Sequence, residues 1–216
     1  MMAFFVYIVI MKEIKFKKFG GEIIDDVVEY ILDYIKVKGS DIQISIGCDS
    51  QTKRRRVNYA ITIVLYDGER HNGAHYIFKR LKIPKSYLRN RKRVSQWHHD
   101  KVENFNDVNI TETDDLILNR LWNEVEYLLE LGVWLDEKLQ GRYYVKHSLN
   151  DYDGSQPTRL PVLHVDFNPD EGTKRENKSN KLYASAMGML SGMGFKVVGK
   201  PDAFASSSAA DLLCKF

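Results

Sequence analysis

Cysteine is scarce in this chain, and the two it has, Cys48 and Cys214, lie far apart with no CxxC spacing. That excludes a disulfide-stapled scaffold and a zinc ribbon, and it makes a reducing, cytoplasmic setting the expected one. Long apolar runs are also lacking. The nearest is the opening MMAFFVYIVI, about half of the roughly 20 residues that a spanning helix needs, without the basic start or cleavage site of a signal peptide. It reads as an edge strand, with Met11 as an alternative start of translation, and no membrane partner is expected. Net charge is only +3 and names no partner by itself. Repeats and disorder-type composition are absent.

What is present is material for one sizeable core, with 216 residues of which 44% are hydrophobic and 12% aromatic, so a single domain with insertions is expected. The charge is unevenly spread. From Lys79 to Lys101, KRLKIPKSYLRNRKRVSQWHHDK holds nine Lys or Arg against one acid, Asp100, interleaved with Tyr87 and Trp97. Charge runs usually form solvated faces, but cations at this density beside two aromatics suit phosphate neutralisation and base stacking. Lys85, Arg89, Arg91, Lys92, Arg93 and Trp97 are therefore expected to contact nucleic acid. No groove-reading motif accompanies them, so sequence specificity is not indicated.

Gly20 and Gly21 break the opening pattern, and EIIDDVVEYILDYIK then places Ile24, Val27, Val28, Ile31 and Ile35 on one helical face. DIQISIGCD follows as the first core strand, with Ile42, Ile44 and Ile46 on one side. TKRRR makes a turn, and VNYAITIVLYDG and HYIFKRLKI complete an antiparallel meander. Thr111 or Thr113 can cap a long helix to about Lys138, striped by Ile117, Leu121, Val125 and Leu128. After an aperiodic stretch come the strand VLHVDFNP, a helix from about Asn177 to Met193, the strand FKVVGK and a last helix from about Ala203 to Lys215. This order predicts an α/β fold, a mixed sheet covered by helices, whose ligands gather at strand C-terminal ends.

Two aspartates stand at such ends: Asp49 closes QISIGCD and Asp166 closes PVLHVD. An unpaired buried carboxylate costs several kcal/mol, so each needs a hydrogen-bond partner, a cation or solvent. Glu124 lies on the rim of the long helix's apolar stripe, and Asp211 sits in SSSAADLLC near the C-terminus. Four carboxylates from four elements make a plausible site for Mg²⁺ or Mn²⁺, hard cations that prefer oxygen ligands and leave room for water and phosphate. Each also has an ordinary use. A strand-end Asp forms turns, a helical Glu is normally solvated, and Glu126 is nearly as well placed as Glu124. Asp202, after Pro201, suits a helix N-cap, and His164 suits packing within its strand.

Taken together, IGCDSQ followed by a meander, NRLWNEVEYLLELG, HVDFNPDEGTKRENKSNKLYASAMGMLSGMGF and KPDAFASSSAADLLCK resemble the YkuK-type ribonuclease H-like family from about Phe19 to the C-terminus. The resemblance implies a five-stranded sheet of order 3-2-1-4-5 with helices on both faces. It implies one domain over 1–216, with an N-terminal extension (about 1–38), a basic insertion (about 82–108) and a second insertion (about 141–160). It further implies an acidic cluster of Asp49, Glu124, Asp166 and Asp211 as catalytic ligands of Mg²⁺ or Mn²⁺, two ions in all. Around them Ser50, Gln51, Asn168 and Asp202 are expected to orient ligands. Lys174 and Arg175, with Lys178 and Lys181, gather near a helix start, where phosphate is favoured.

The expected activity is hydrolysis of phosphodiester bonds in RNA or DNA. Two rivals stand beside it: a non-catalytic nucleic-acid-binding module of the same fold, and an assembly scaffold using Trp122 and Trp134.

Overall fold

A computed structural model describes residues 15–38, 42–67, 74–85, 88, 112–140, 142, 159–169 and 179–215. Its centre is an antiparallel meander of β3 (Ile42–Thr52), β4 (Arg56–Asp67) and β5 (Ala74–Pro84), paired continuously from Ile42↔Asp67 to Thr52↔Val57 and from Tyr66↔Ala74 to Arg56↔Pro84. β6 (Arg159–Val165) lies parallel to β3, with Gly47 opposite His164, and β7 (Phe195–Gly199) lies parallel to β6. Two short strands, β1 (Phe16–Lys18) and β2 (Ile23–Ile24), extend the other edge by pairing β1 with β5.

The mixed sheet thus has seven strands in the order β2-β1-β5-β4-β3-β6-β7, which corrects the expected five-stranded sheet of order 3-2-1-4-5. The physical reason lies in the segment before the first helix. Gly21 takes a positive φ of 90°, and the turn it makes folds β2 back on β1. Ile24, expected on the helix, belongs to β2. The helix α1 (Val27–Lys38) starts later because Asp26 caps it, accepting the backbone N–H groups of Val28 at 2.9 Å and Glu29 at 3.0 Å.

Helices cover both faces. Ile42, Ile44, Ile46 and Cys48 of β3 point into one core with α1, the long helix α2 (Glu112–Leu139) and α3 (Asn180–Gly192). Leu121, Val125 and Leu128 of the expected α2 stripe are buried there, and Trp122 and Trp134 pack half-buried against the same core. The opposite face carries a smaller cluster in which Ala60 and Phe78 meet Ala210, Leu213 and Cys214. Here the expected continuous last helix is corrected. Ala205–Ala210 is a π-helical turn, and only Asp211–Cys214 (α4) is α-helical.

Close packing explains the turn. A Cβ on Gly47 would lie 2.1 Å from the Ala205 carbonyl carbon, so the backbones of β3 and the turn touch only because Gly47 has no side chain. Thr62 Oγ1 donates to the Ala205 carbonyl at 2.8 Å, and the Ala205 N–H donates to His164 Nδ1 at 3.2 Å. Ser206 and Ser207 return their hydroxyls to the Ala203 carbonyl at 3.0 and 2.9 Å, which widens the helix. No helix among the described residues is long and apolar enough to cross a membrane.

Candidate functional site

The pairing of β3 with β6 does the work that chain order cannot. Gly47 and His164 are register partners, so Asp49 and Asp166, each two residues further on, emerge side by side at the same end of the sheet. Glu124 comes in from α2 on one face, and Asp211, the first residue of α4, comes from the other. All four line one cleft of about 580 Å³, together with Ser50, Gln51, Asn168, Arg120 and Lys200. Glu124 lines it and is 2% exposed, whereas Glu126 does not line it.

The side chains around the carboxylates are specific. Arg120, one turn before Glu124, donates at 2.7 Å to both the carbonyl and the hydroxyl of Ser50, and its guanidinium lies 3.4 Å from Glu124 Oε1. The Ser50 hydroxyl in turn donates to Glu124 Oε1. Lys200 sits 3.1 Å from Asp166 Oδ1, and Lys215 lies 2.6 Å from Asp211 Oδ2. The Cys214 thiol donates to Asp49 Oδ2 at 3.2 Å.

Electrostatics follow from this crowding. Burial raises the Asp49 carboxyl above the usual carboxylate range. The Cys214 thiol and the Ser50 N–H oppose the rise, while Asp166 and Asp211 add to it. Burial, then Asp49, pushes Glu124 well above its ordinary value despite Arg120 and Ser50. Asp166 is also raised by burial, with Lys200 pulling the other way. The Cys214 thiol is driven far up by burial and by Asp49, so it stays protonated and acts as a donor. His164, accepting from Ala205 through Nδ1, carries its proton on Nε2, and burial lowers its pKa to about 4.

A cation would relieve these raised carboxyls, and the oxygen donors suit Mg²⁺ or Mn²⁺. Among the described residues, the possible ligand atoms of Asp49, Asp211 and Cys214 all lie within 4.8 Å of one another. Glu124 and Asp166 stand outside that trio. The residues fit a hard divalent ion through their carboxylates, with the protonated thiol as a neighbour.

Of the residues expected around the ligands, Ser50, Gln51 and Asn168 line the cleft, whereas Asp202 is exposed and outside it. Lys85 is half-buried beside the β3–β4 turn, its N–H donating to the Arg55 carbonyl at 3.1 Å. Arg89, Arg91, Lys92, Arg93, Trp97, Lys174 and Arg175 lie outside the described residues. Sequence reasoning missed Arg120, Lys200, Lys215 and Cys214. Their signals were faint: two i,i+4 spacings to an acid, Arg120 to Glu124 and Asp211 to Lys215, a Lys before Pro201, and a Cys one turn after Asp211.

A family model described as ribonuclease H-like matches residues 26–99 and 104–215. No curated protein and no solved structure matches the chain.

Proposed function

The chain belongs to the ribonuclease H-like family, and from that premise we propose that it is a Mg²⁺- or Mn²⁺-dependent nuclease hydrolysing phosphodiester bonds in RNA or DNA. The observation that carries the reading is the convergence of Asp49, Glu124, Asp166 and Asp211, from four separate elements, on one cleft. Structural carboxylates disperse over a surface or pair singly. Here three of them sit buried enough that their charged forms are disfavoured, the arrangement expected of a cation site.

In this reading the four carboxylates hold two ions. Bound there, the ions supply Lewis-acid polarisation of the phosphodiester and activation of water. Ser50 and Arg120 keep Glu124 in one orientation, so the carboxylate does not have to be ordered when a cation arrives. Lys200 and Lys215, half-exposed on long stems, balance Asp166 and Asp211 and are placed to turn toward a substrate phosphate.

The test is cleavage of RNA, DNA and hybrid substrates by purified protein with Mg²⁺ and with EDTA, beside Asp49→Asn. Metal-dependent cleavage lost in the variant supports the proposal, and equal cleavage by the variant refutes it. One observation favours the rival non-catalytic module. The Lys200 and Lys215 ammonium groups already neutralise two of the four carboxylates without any metal. That rival predicts nucleic-acid binding that survives EDTA and Asp166→Asn, with no turnover.

A further inference from the structure

The β3–β4 turn carries Lys53, Arg54, Arg55 and Arg56 in unbroken succession, and no acid occurs between Ser50 and Tyr66. The β5 strand opposite is the same: from Ala74 to Lys85 it has Lys79, Arg80, Lys82 and Lys85 and no acid. Arg54, Arg55, Arg56, Arg80 and Lys82 are all exposed, and none has an ion-pair partner among the described residues. Five cations on one sheet corner, without an acid beside them among the described residues, repel one another, a cost that a polyanion would remove.

The corner is aligned with the cleft. Register makes Asp49↔Ala60↔Arg80 one row across the sheet and Gln51↔Asn58↔Lys82 the next, so Arg80 and Lys82 share the face of Asp49 and flank the α4 segment that covers Ala60 between them. With strands spaced about 4.8 Å apart, Arg80 stands roughly 10 Å to the side of Asp49, and the turn, five residues on, extends roughly 17 Å beyond it. At about 3.4 Å of duplex axis per phosphate of one strand, that reach spans about five base-pair steps. The corner is also held rigid. Lys53 N–H donates to the Arg56 carbonyl at 2.8 Å, Lys85 N–H to the Arg55 carbonyl at 3.1 Å, and Lys53 Nζ to the Lys215 carbonyl at 3.1 Å, which ties the turn to the end of α4. Arg80 rests its guanidinium over the Phe78 ring, 5.5 Å from the centroid.

We propose that this β3–β4 turn and the adjoining edge of β5 form a phosphate track that leads a nucleic-acid strand into the carboxylate cleft. The inference deepens the nucleic-acid reading above and rests on it. The track has arginine and lysine heads but no aromatic side chain in the turn, so it grips backbone and not bases, and it does not discriminate sequence.

The test measures binding of a labelled 20-mer RNA–DNA hybrid in EDTA over a salt series, for wild type, Arg54→Gln/Arg55→Gln/Arg56→Gln, and Arg142→Gln. Arg142 pairs with Glu29 away from the cleft and serves as control. The triple variant should lower the slope of log affinity against log salt by about 3, roughly one per phosphate contact removed, equally for two unrelated sequences. The control should keep the wild-type slope. Arg80→Gln/Lys82→Gln gives the same answer from the strand side should the turn variant misfold, with a loss of about 2. A wild-type slope in both variants, or an equal drop in the control, overturns the track alone. Absence of wild-type binding even at low salt overturns the nucleic-acid reading and the track with it.

Discussion

Replacing Asp49 by asparagine should make the metal-free protein more stable while abolishing its proposed activity. The Asp49 and Asp211 ligand atoms lie within 4.8 Å, a separation at which two unit charges repel by about 3.5 kcal/mol at an effective dielectric near 20. Most of that is cancelled, because Lys215 lies 2.6 Å from Asp211, whose side chain is 39% exposed, and about 1 kcal/mol is left. In a chain of this size about 1 kcal/mol moves the melting temperature by about 2–4 °C. Asparagine can still accept from the Cys214 thiol, so the exchange removes charge and little else.

The pH dependence has a definite sign. Burial first, with Asp166 and Asp211 adding to it, raises the Asp49 pKa above 3.8, so the folded state binds that proton more tightly than the unfolded chain, and stability falls as pH rises through the window above 3.8. The advantage of Asp49→Asn is therefore present at pH 7.5 and shrinks on acidification. Thermal melts followed by circular dichroism in EDTA at several pH values measure it. Millimolar Mn²⁺ should stabilise the wild type, by about 2.7 kcal/mol where the ion is at a hundred times its dissociation constant, and the variant less. A variant that melts at or below the wild type in EDTA at pH 7.5, or a gap that does not change with pH, would refute the argument that the crowded, buried Asp49 charge destabilises the fold.

Three further outcomes are expected. Glu124→Gln should weaken Mn²⁺ binding, read by calorimetry, by about 10–100-fold, while Glu126→Gln, outside the cleft, should leave it unchanged. Gly47→Ala should destabilise the fold by about 3 kcal/mol in denaturant titration, since its methyl would collide with the Ala205 backbone. Both thiols should resist iodoacetamide at pH 7.5 by at least roughly tenfold relative to the unfolded chain, because Cys48 and Cys214 are buried and burial drives both pKa values up; rapid alkylation of the native protein would contradict the packing of α4.

Much of the site was legible in the order of residues. Alternation in IQISIGCD puts Ile42, Ile44 and Ile46 in the core and Asp49 on the other face, and the α2 stripe buries Leu121, Val125 and Leu128; the strand end expected at Asp49 is corrected, because β3 stays paired with β4 as far as Thr52. What misled was local pattern used past its range. Ile24 fits a helical face by spacing, yet Asp26 caps the helix after it, and the Gly21 turn sends Ile24 into a strand. SSSAAD fits an α-helix by propensity, yet contact with Gly47 and the returned serine hydroxyls make a π turn.

By itself the sequence determined which residues are apolar on which face and that Asp166 follows a strand, because periodicity is a property of neighbours along the chain. Only the tertiary structure decided that β3 and β6 pair in parallel and so join Asp49 to Asp166 across more than a hundred residues. It alone decided that Glu124 and not Glu126 lines the cleft, and that Arg120, Lys200, Lys215 and Cys214 serve the carboxylates. Those outcomes depend on packing between distant segments, where a single missing side chain at Gly47 sets how closely the backbones of β3 and the turn at Ala205 approach.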